Sequence, residues 1–170
     1  MTALLLFDSN VWSHLVLKRT AQDAKVRTDI DALLLKYQLS PRCTSRICVA
    51  EALVGARRLL DGQQRMHLEA ALMEEFENAQ LLIVDVVASI LDRAATLRAE
   101  SLRRAASKRD VIPAGADGGK LKLPDAIIAA TCLEFDPPAI LVTENDKDFR
   151  YIDDQGVSCT VGNLIIERVG

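Results

Sequence analysis

The stretch Leu4-Leu5-Leu6-Phe7-Asp8-Ser9-Asn10-Val11 sets how the rest of the chain is read. Its apolar run, from Ala3 to Phe7, stops at an acid, and Val11, Trp12, Leu15 and Val16 then recur at helical spacing from Ser9 to Lys18. A buried strand runs into a helix through an aspartate. The same grammar returns at Leu81 to Val84 before a long helix, and at Ala139 to Val142 before the segment Thr143-Glu144-Asn145-Asp146-Lys147-Asp148-Phe149. Strands alternating with helices predict an α/β fold, a three-layer α/β/α sandwich with a central parallel sheet of four or five strands. In such sheets ligands bind outside the carboxyl ends of the strands, where Asp8 and the 143–149 segment both fall.

The segments between follow from local signals. A helix from Ala21 to Tyr37 places Ile30, Leu33 and Leu34 on one face, and Ser40-Pro41 ends it before an extended piece around Cys43. Ser45 caps a helix carrying Glu51 among Val49, Ala50, Ala52 and Leu53; it breaks near Gly62 and resumes to Phe76 with the stripe Met66, Ala70, Met73, Phe76. That stripe is expected to pack inward, a partner helix or a second copy of the chain being its other possible occupants. Val86 to Ser107 forms a helix with Ile90, Ala94, Leu97 and Leu102 inward, and the Pro- and Gly-punctuated stretch 108–123 is expected to be a flexible loop. Pro124 opens a helix to Phe135; a short helix at 147–152, a strand at 157–161 and a weakly helical end at 163–169 complete the reading.

With 170 residues, 49% of them hydrophobic and 26% charged, the chain suits one globular domain, spanning 1–170. The first residues lack a basic region and a long apolar run, so a cytoplasmic location is expected, with no membrane association. Cys43, Cys48, Cys132 and Cys159 show no metal-binding spacing and read as free thiols. The net charge of -3 argues mildly against nucleic acid.

Four acids occupy positions that converge in a parallel sheet: Asp8 after the first strand, Glu51 in an apolar helix, Asp125 in a helical first turn, and Asp148 after a later strand. Each has a plainer role available alone. Asp8 fits a helix cap, Asp125 a helix dipole, Glu51 an ion pair with Arg46, Arg57 or Arg58, and Asp148 a pair with Arg150. Together, carboxylates this close repel and raise one another's pKa unless cations neutralise them, and hard oxygen donors select Mg²⁺ or Mn²⁺. His14 and His67 read as surface or helix-packing residues away from the acidic motifs, so no histidine is expected to supply the nucleophile.

These blocks resemble the PIN-domain family of metal-dependent nucleases, whose bacterial members include VapC-type toxins. LLLFDSNV at 4–11 is similar to the family's opening strand and acid, SRICVAEALVG at 45–55 to its glutamate helix, PDAIIAATCLE at 124–134 to its third acidic motif, and LVTENDKDF at 141–149 to its ending. The resemblance implies Asp8, Glu51, Asp125 and Asp148 as catalytic and metal-site acids, with Ser9, Thr143 and Asn145 supporting them. Asn145 stands where many members carry another acid. The activity implied is a divalent-metal-dependent endoribonuclease acting on single-stranded or structured RNA. A toxin role would add a small antitoxin partner.

Arg57, Arg58, Lys120 and Lys122 are the candidate cations for an RNA backbone. Aromatics are only 4%, and Trp12 reads as core instead of a stacking platform. With the four site acids set aside, 20 of the 24 remain against 21 basic residues, so the global charge no longer excludes RNA. Two alternatives remain: a noncatalytic RNA- or partner-binding module, favoured only by Asn145, and an Asp8-nucleophile phosphatase, which would want an acid where Asn10 stands.

Overall fold

The computed structural model describes residues 3–17, 20–38, 40–59, 62–107, 121–152 and 158–170. The order is β1 (Leu5–Phe7), α1 (Ser9–Leu17), α2 (Ala21–Lys36), β2 (Arg42–Ser45), α3 (Arg46–Leu59), α4 (Gly62–Asn78), β3 (Leu82–Val84) and α5 (Ala88–Ser107). Then follow α6 (Leu123–Leu133), β4 (Ile140–Thr143), a 3₁₀ turn (Asp146–Phe149), β5 (Arg150–Ile152), β6 (Ser158–Thr160), a second 3₁₀ turn (Val161–Asn163) and β7 (Ile166–Arg168). Most of the predicted loop, 108–120, lies outside the described residues. Of its last three residues, Leu121 is buried in the core, Lys122 is the N-cap of α6, and Leu123 begins that helix.

Five strands form one parallel sheet in the order β3-β2-β1-β4-β7, and β5 pairs antiparallel with β6 beside it. The chain builds outward from β1 on one side and continues from β4 on the other. The strand order therefore reverses between β1 and β4, where Leu5, Leu6 and Phe7 face Ile140, Leu141 and Val142 in register.

Strand alternation divides the core into two layers. Leu6 and Leu141 point to one face, against Ile90, Ala94 and Leu97 of α5 and the apolar side of α6. Leu5, Phe7, Ile140 and Val142 point to the other, against Val11 and Trp12 of α1, Val26 and Ile30 of α2, and Phe76 of α4. Trp12 is core, as its spacing predicts. It packs edge-on to Phe76 at 5.0 Å between ring centroids, and its Nε1 donates to Thr44 Oγ1 at 3.2 Å. Thr20 and Asp23 close a reciprocal capping box on α2.

The structure corrects several expectations. The 163–169 segment is not helical: it enters the sheet as the edge strand β7, reached through Gly162 at a φ of +62°, a backbone conformation costly to a residue with a Cβ. The 147–152 helix is a 3₁₀ turn running straight into β5. On α4 the inward stripe is Leu68, Leu72 and Phe76, whereas Met66 is 70% exposed and Met73 is also exposed. On α5, Ser101 takes the buried position assigned to Leu102, because the inner face continues by four residues from Leu97 and not five. Phe76→Ala is therefore expected to cost about 3–5 kcal/mol, while Met66→Ser should stay within about 0.5 kcal/mol. Urea unfolding of both variants measures the contrast, and equal losses would contradict this facing of α4.

Candidate active site

Asp8 stands at the end of β1, its amide bonded to Val142 O of β4 at 3.0 Å. That pairing sets its carboxylate beside Thr143, the last residue of β4. Thr143 Oγ1 donates to Asp8 Oδ2 at 2.7 Å, while Ser9 N donates to Oδ1 at 2.6 Å. The N-terminus of α1 begins at Ser9, so the negative charge also meets a helix dipole. Asn10, not among the predicted site residues, donates from Nδ2 to Thr143 Oγ1 at 3.2 Å and accepts at Oδ1 from Glu144 N at 3.3 Å. Its contact could have been suspected only from its place one residue beyond Ser9.

Burial raises the Asp8 carboxyl above the usual range, against the lowering effect of the Thr143 and Ser9 hydrogen bonds. Burial likewise raises Glu51, whose side chain bonds the Ser9 hydroxyl and feels the charge of Asp8. Asp125 is the most perturbed: burial first, then Asp148, Asp8 and Glu51, push it up to about 7, with Lys122 opposing. Asp125 Oδ2 is buried without a hydrogen-bond partner among the described residues. Asp148 accepts at Oδ2 from Asn145 Nδ2 at 2.6 Å, and Lys122 Nζ lies 3.6 Å from the same oxygen.

The four predicted acids thus reach one another electrostatically at the carboxyl edge of the β1/β4 junction. Ser9, Thr143 and Asn145 bond within the group. Lys122 stands against the acids themselves, a closer role than the RNA contact expected of it. Arg57 pairs with Glu69 across α3 and α4 at 3.0 Å, Arg58 is exposed two turns beyond Glu51, and Lys120 lies outside the described residues. Two of the plainer ion pairs do not form. Arg46 pairs with Asp85 and Arg150 with Asp146, so neither takes the site acids.

The donors suit a hard divalent cation in chemistry: oxygen ligands, mutual repulsion and an orphaned buried oxygen. Among the described residues no three His, Cys, Asp or Glu side chains form a ready-made coordination set. The fit is one of charge and donor type, not a closed cage. The cysteines offer nothing comparable. Cys43, Cys48 and Cys132 are buried free thiols, the first pushed up by burial to about 12.

The sequence matches the PIN domain over residues 5–155. The chain belongs to the PIN-domain family. PIN domains are a nuclease family, and the five-stranded parallel sheet flanked by helices is of that fold. No relative is matched among curated proteins. Solved structures similar to this PIN domain include VapBC2 from Rickettsia felis bound to a promoter DNA fragment, with a TM-score of 0.60 and 20% identity over 97% of this chain and 98% of that one. A toxin-antitoxin complex from Klebsiella pneumoniae has a TM-score of 0.54 and 26% identity over 85% and 89%. VapC20 from Mycobacterium tuberculosis, described as a Sarcin-Ricin loop cleaving toxin, has a TM-score of 0.53 and 14% identity over 81% and 86%.

One expectation about histidine fails. His14 is not remote from the acidic motifs: one turn beyond Asn10, it bonds Glu144, the residue between Thr143 and Asn145. His67 is exposed, as expected.

The raised Asp125 carboxyl carries a signed consequence for stability. Between about pH 4 and its folded pKa of about 7, the folded state holds a proton that the unfolded chain has lost. The Asp125 contribution to the stability of metal-free protein is therefore expected to fall as pH rises across that window and to level off above it. Asp125→Asn should remove its share of the slope and raise the urea midpoint at about pH 8 in chelator. A midpoint unchanged or lowered by the substitution would contradict the assignment.

Proposed function

We propose that the chain is a divalent-metal-dependent endoribonuclease and the toxin of a toxin-antitoxin pair. The observation that carries this reading is the partnerless buried Oδ2 of Asp125, set among three further acids at the sheet's reversal point. Asp8, Asp125 and Asp148 would hold Mg²⁺ or Mn²⁺, with Glu51 directly or through water. The chemistry such an ion supplies is activation of water and neutralisation of charge on the phosphate.

The chain's own residues do the rest. Thr143 and Ser9 fix the rotamer of Asp8 by donating to both of its oxygens. Asn145 orients Asp148, and Lys122 adds a positive charge at the mouth of the group, where the phosphate of an RNA strand would pass. Arg58 extends that cationic path along α3. The similarity to the Klebsiella pneumoniae complex and to VapBC2 supports an antitoxin as protein partner, and that to VapC20 supports RNA as substrate.

The test is cleavage of structured and single-stranded RNA with Mn²⁺ by wild type, Asp8→Asn and Asp125→Asn. Loss on the order of 10²-fold or more is expected in each variant. Thr143→Ala, which only orients Asp8, should lose about 10- to 100-fold. Equal cleavage by all four proteins would place any activity elsewhere, and binding without cleavage in wild type would favour the noncatalytic module.

A further inference from the structure

Outside the four acids, a closely bonded cluster of titratable groups is built around His14. Its Nδ1 lies 2.6 Å from Asp23 Oδ1 on α2, and its Nε2 lies 2.7 Å from Glu144 Oε2 in the turn after β4. Both ring nitrogens therefore face carboxylate oxygens, which only accept hydrogen bonds, so both contacts are satisfied together only when the ring carries two protons. Asp23 is fixed in turn by the capping box of α2, where its Oδ2 accepts Thr20 N at 2.7 Å. Glu144 is fixed by Gln22, whose Nε2 donates to Oε1 at 2.7 Å. The imidazole joins α1, α2 and the turn leaving β4.

That turn carries the site. Glu144 N donates to Asn10 Oδ1, Asn10 Nδ2 donates to Thr143 Oγ1, and Thr143 Oγ1 donates to Asp8 Oδ2. The next residue, Asn145, holds Asp148. We propose that His14, as an imidazolium, is a positioning residue that clamps the Thr143–Asp148 turn onto α1 and α2 and so sets the separation of Asp8 from Asp148. It touches neither acid, and it acts through Glu144 and Asn10.

Of the charged groups on the packed elements, Asp23 and Glu144 act on the ring. Arg27 of α2 donates instead to Leu15 O at 2.6 Å, and Asp29 accepts from Gly170 N at 2.9 Å. Burial alone would lower the His14 pKa, but the hydrogen bonds and charges of Asp23 and Glu144 outweigh it and raise it. The sign follows: the clamp is complete below the ordinary histidine value of about 6.5 and is lost as pH rises through the higher folded value.

The chain has two histidines, so imidazole ¹H–¹³C spectra report His14 beside the exposed His67 as internal reference. In wild type the His14 midpoint should lie above the ordinary histidine value of about 6.5, and Glu144→Gln should bring it down. An unshifted His14 midpoint would overturn the proposal whatever the activity. The activity arm rests on the ribonuclease reading. There, Mn²⁺-dependent kcat should fall as pH passes the His14 midpoint, Glu144→Gln should move that fall to lower pH, and His14→Gln should show no such fall and a plateau about 10-fold lower, with KM unchanged. Mn²⁺ affinity by calorimetry should weaken about 10-fold in His14→Gln. If wild type cleaves no RNA, the ribonuclease reading fails alone, and the spectra with the Mn²⁺ titration still decide the clamp. A His14→Gln protein that keeps wild-type Mn²⁺ affinity refutes it.

Discussion

The parallel pairing of β1 with β4 is the constraint on which the rest of the molecule depends. With Phe7 opposite Val142, the next residue of each chain segment, Asp8 just after β1 and Thr143 at the end of β4, must emerge side by side, and the strand order reverses at that seam. A one-residue slip would turn Leu5, Phe7, Ile140 and Val142 from one buried layer to the other and separate the aspartate from the threonine hydroxyl. The apolar layers on both faces thus fix more than stability. Trp12, wedged between Phe7 and Phe76 and tied to Thr44, holds α1 at the angle that presents Ser9 and Asn10 to the same seam.

Gathering carboxylates at that edge opposes folding, and the structure shows what offsets it. Asp8 is 5% exposed yet bonded at both oxygens and seated at a helix N-terminus. Asp148 has Asn145 and Lys122. Asp125 has the α6 N-terminus and the field of Lys122, which do not suffice, and its carboxyl is driven toward the protonated form. The residual strain falls most heavily on Asp125, with Asp8 and Glu51 also raised, a pattern more often met where a protein binds or reacts than where it only folds.

Much of this was legible in the sequence because strand, acid and helix follow one another without interruption. Runs such as Leu4–Phe7 and Ala139–Val142 are too apolar to lie anywhere but inside a sheet, and the residue that ends each is placed by the strand itself. Elements that depend on distant partners were not legible. The edge strand β7 is three residues with a mixed pattern, and only pairing with β4 makes it a strand. The phase of α4 is not legible because Met and Ala are compatible with either face, while Leu72 and Phe76 share a core layer with Val11 and Trp12 of α1. His14 and Glu144 are separated by 130 positions, and no local period reports a bond of that span.

Asn145 illustrates how a neutral residue at an acidic site changes the balance without emptying it. An acid there would add a like charge beside Asp148, whereas the amide donates to Asp148 Oδ2 and Lys122 approaches the same oxygen. An ionised carboxylate offers about four acceptor positions, so these two contacts leave Oδ1 and part of Oδ2 available. The loss of one negative charge also lessens the repulsion on Asp125, for which Asp148 is the largest charge contribution. The relevant electrostatics are therefore local. A chain with net charge -3 presents, within one cluster, acids that lack enough cations and a lysine that supplies only part of them. The deficit at Asp125, more than the sign of the whole molecule, is what gives this edge an attraction for positive charge.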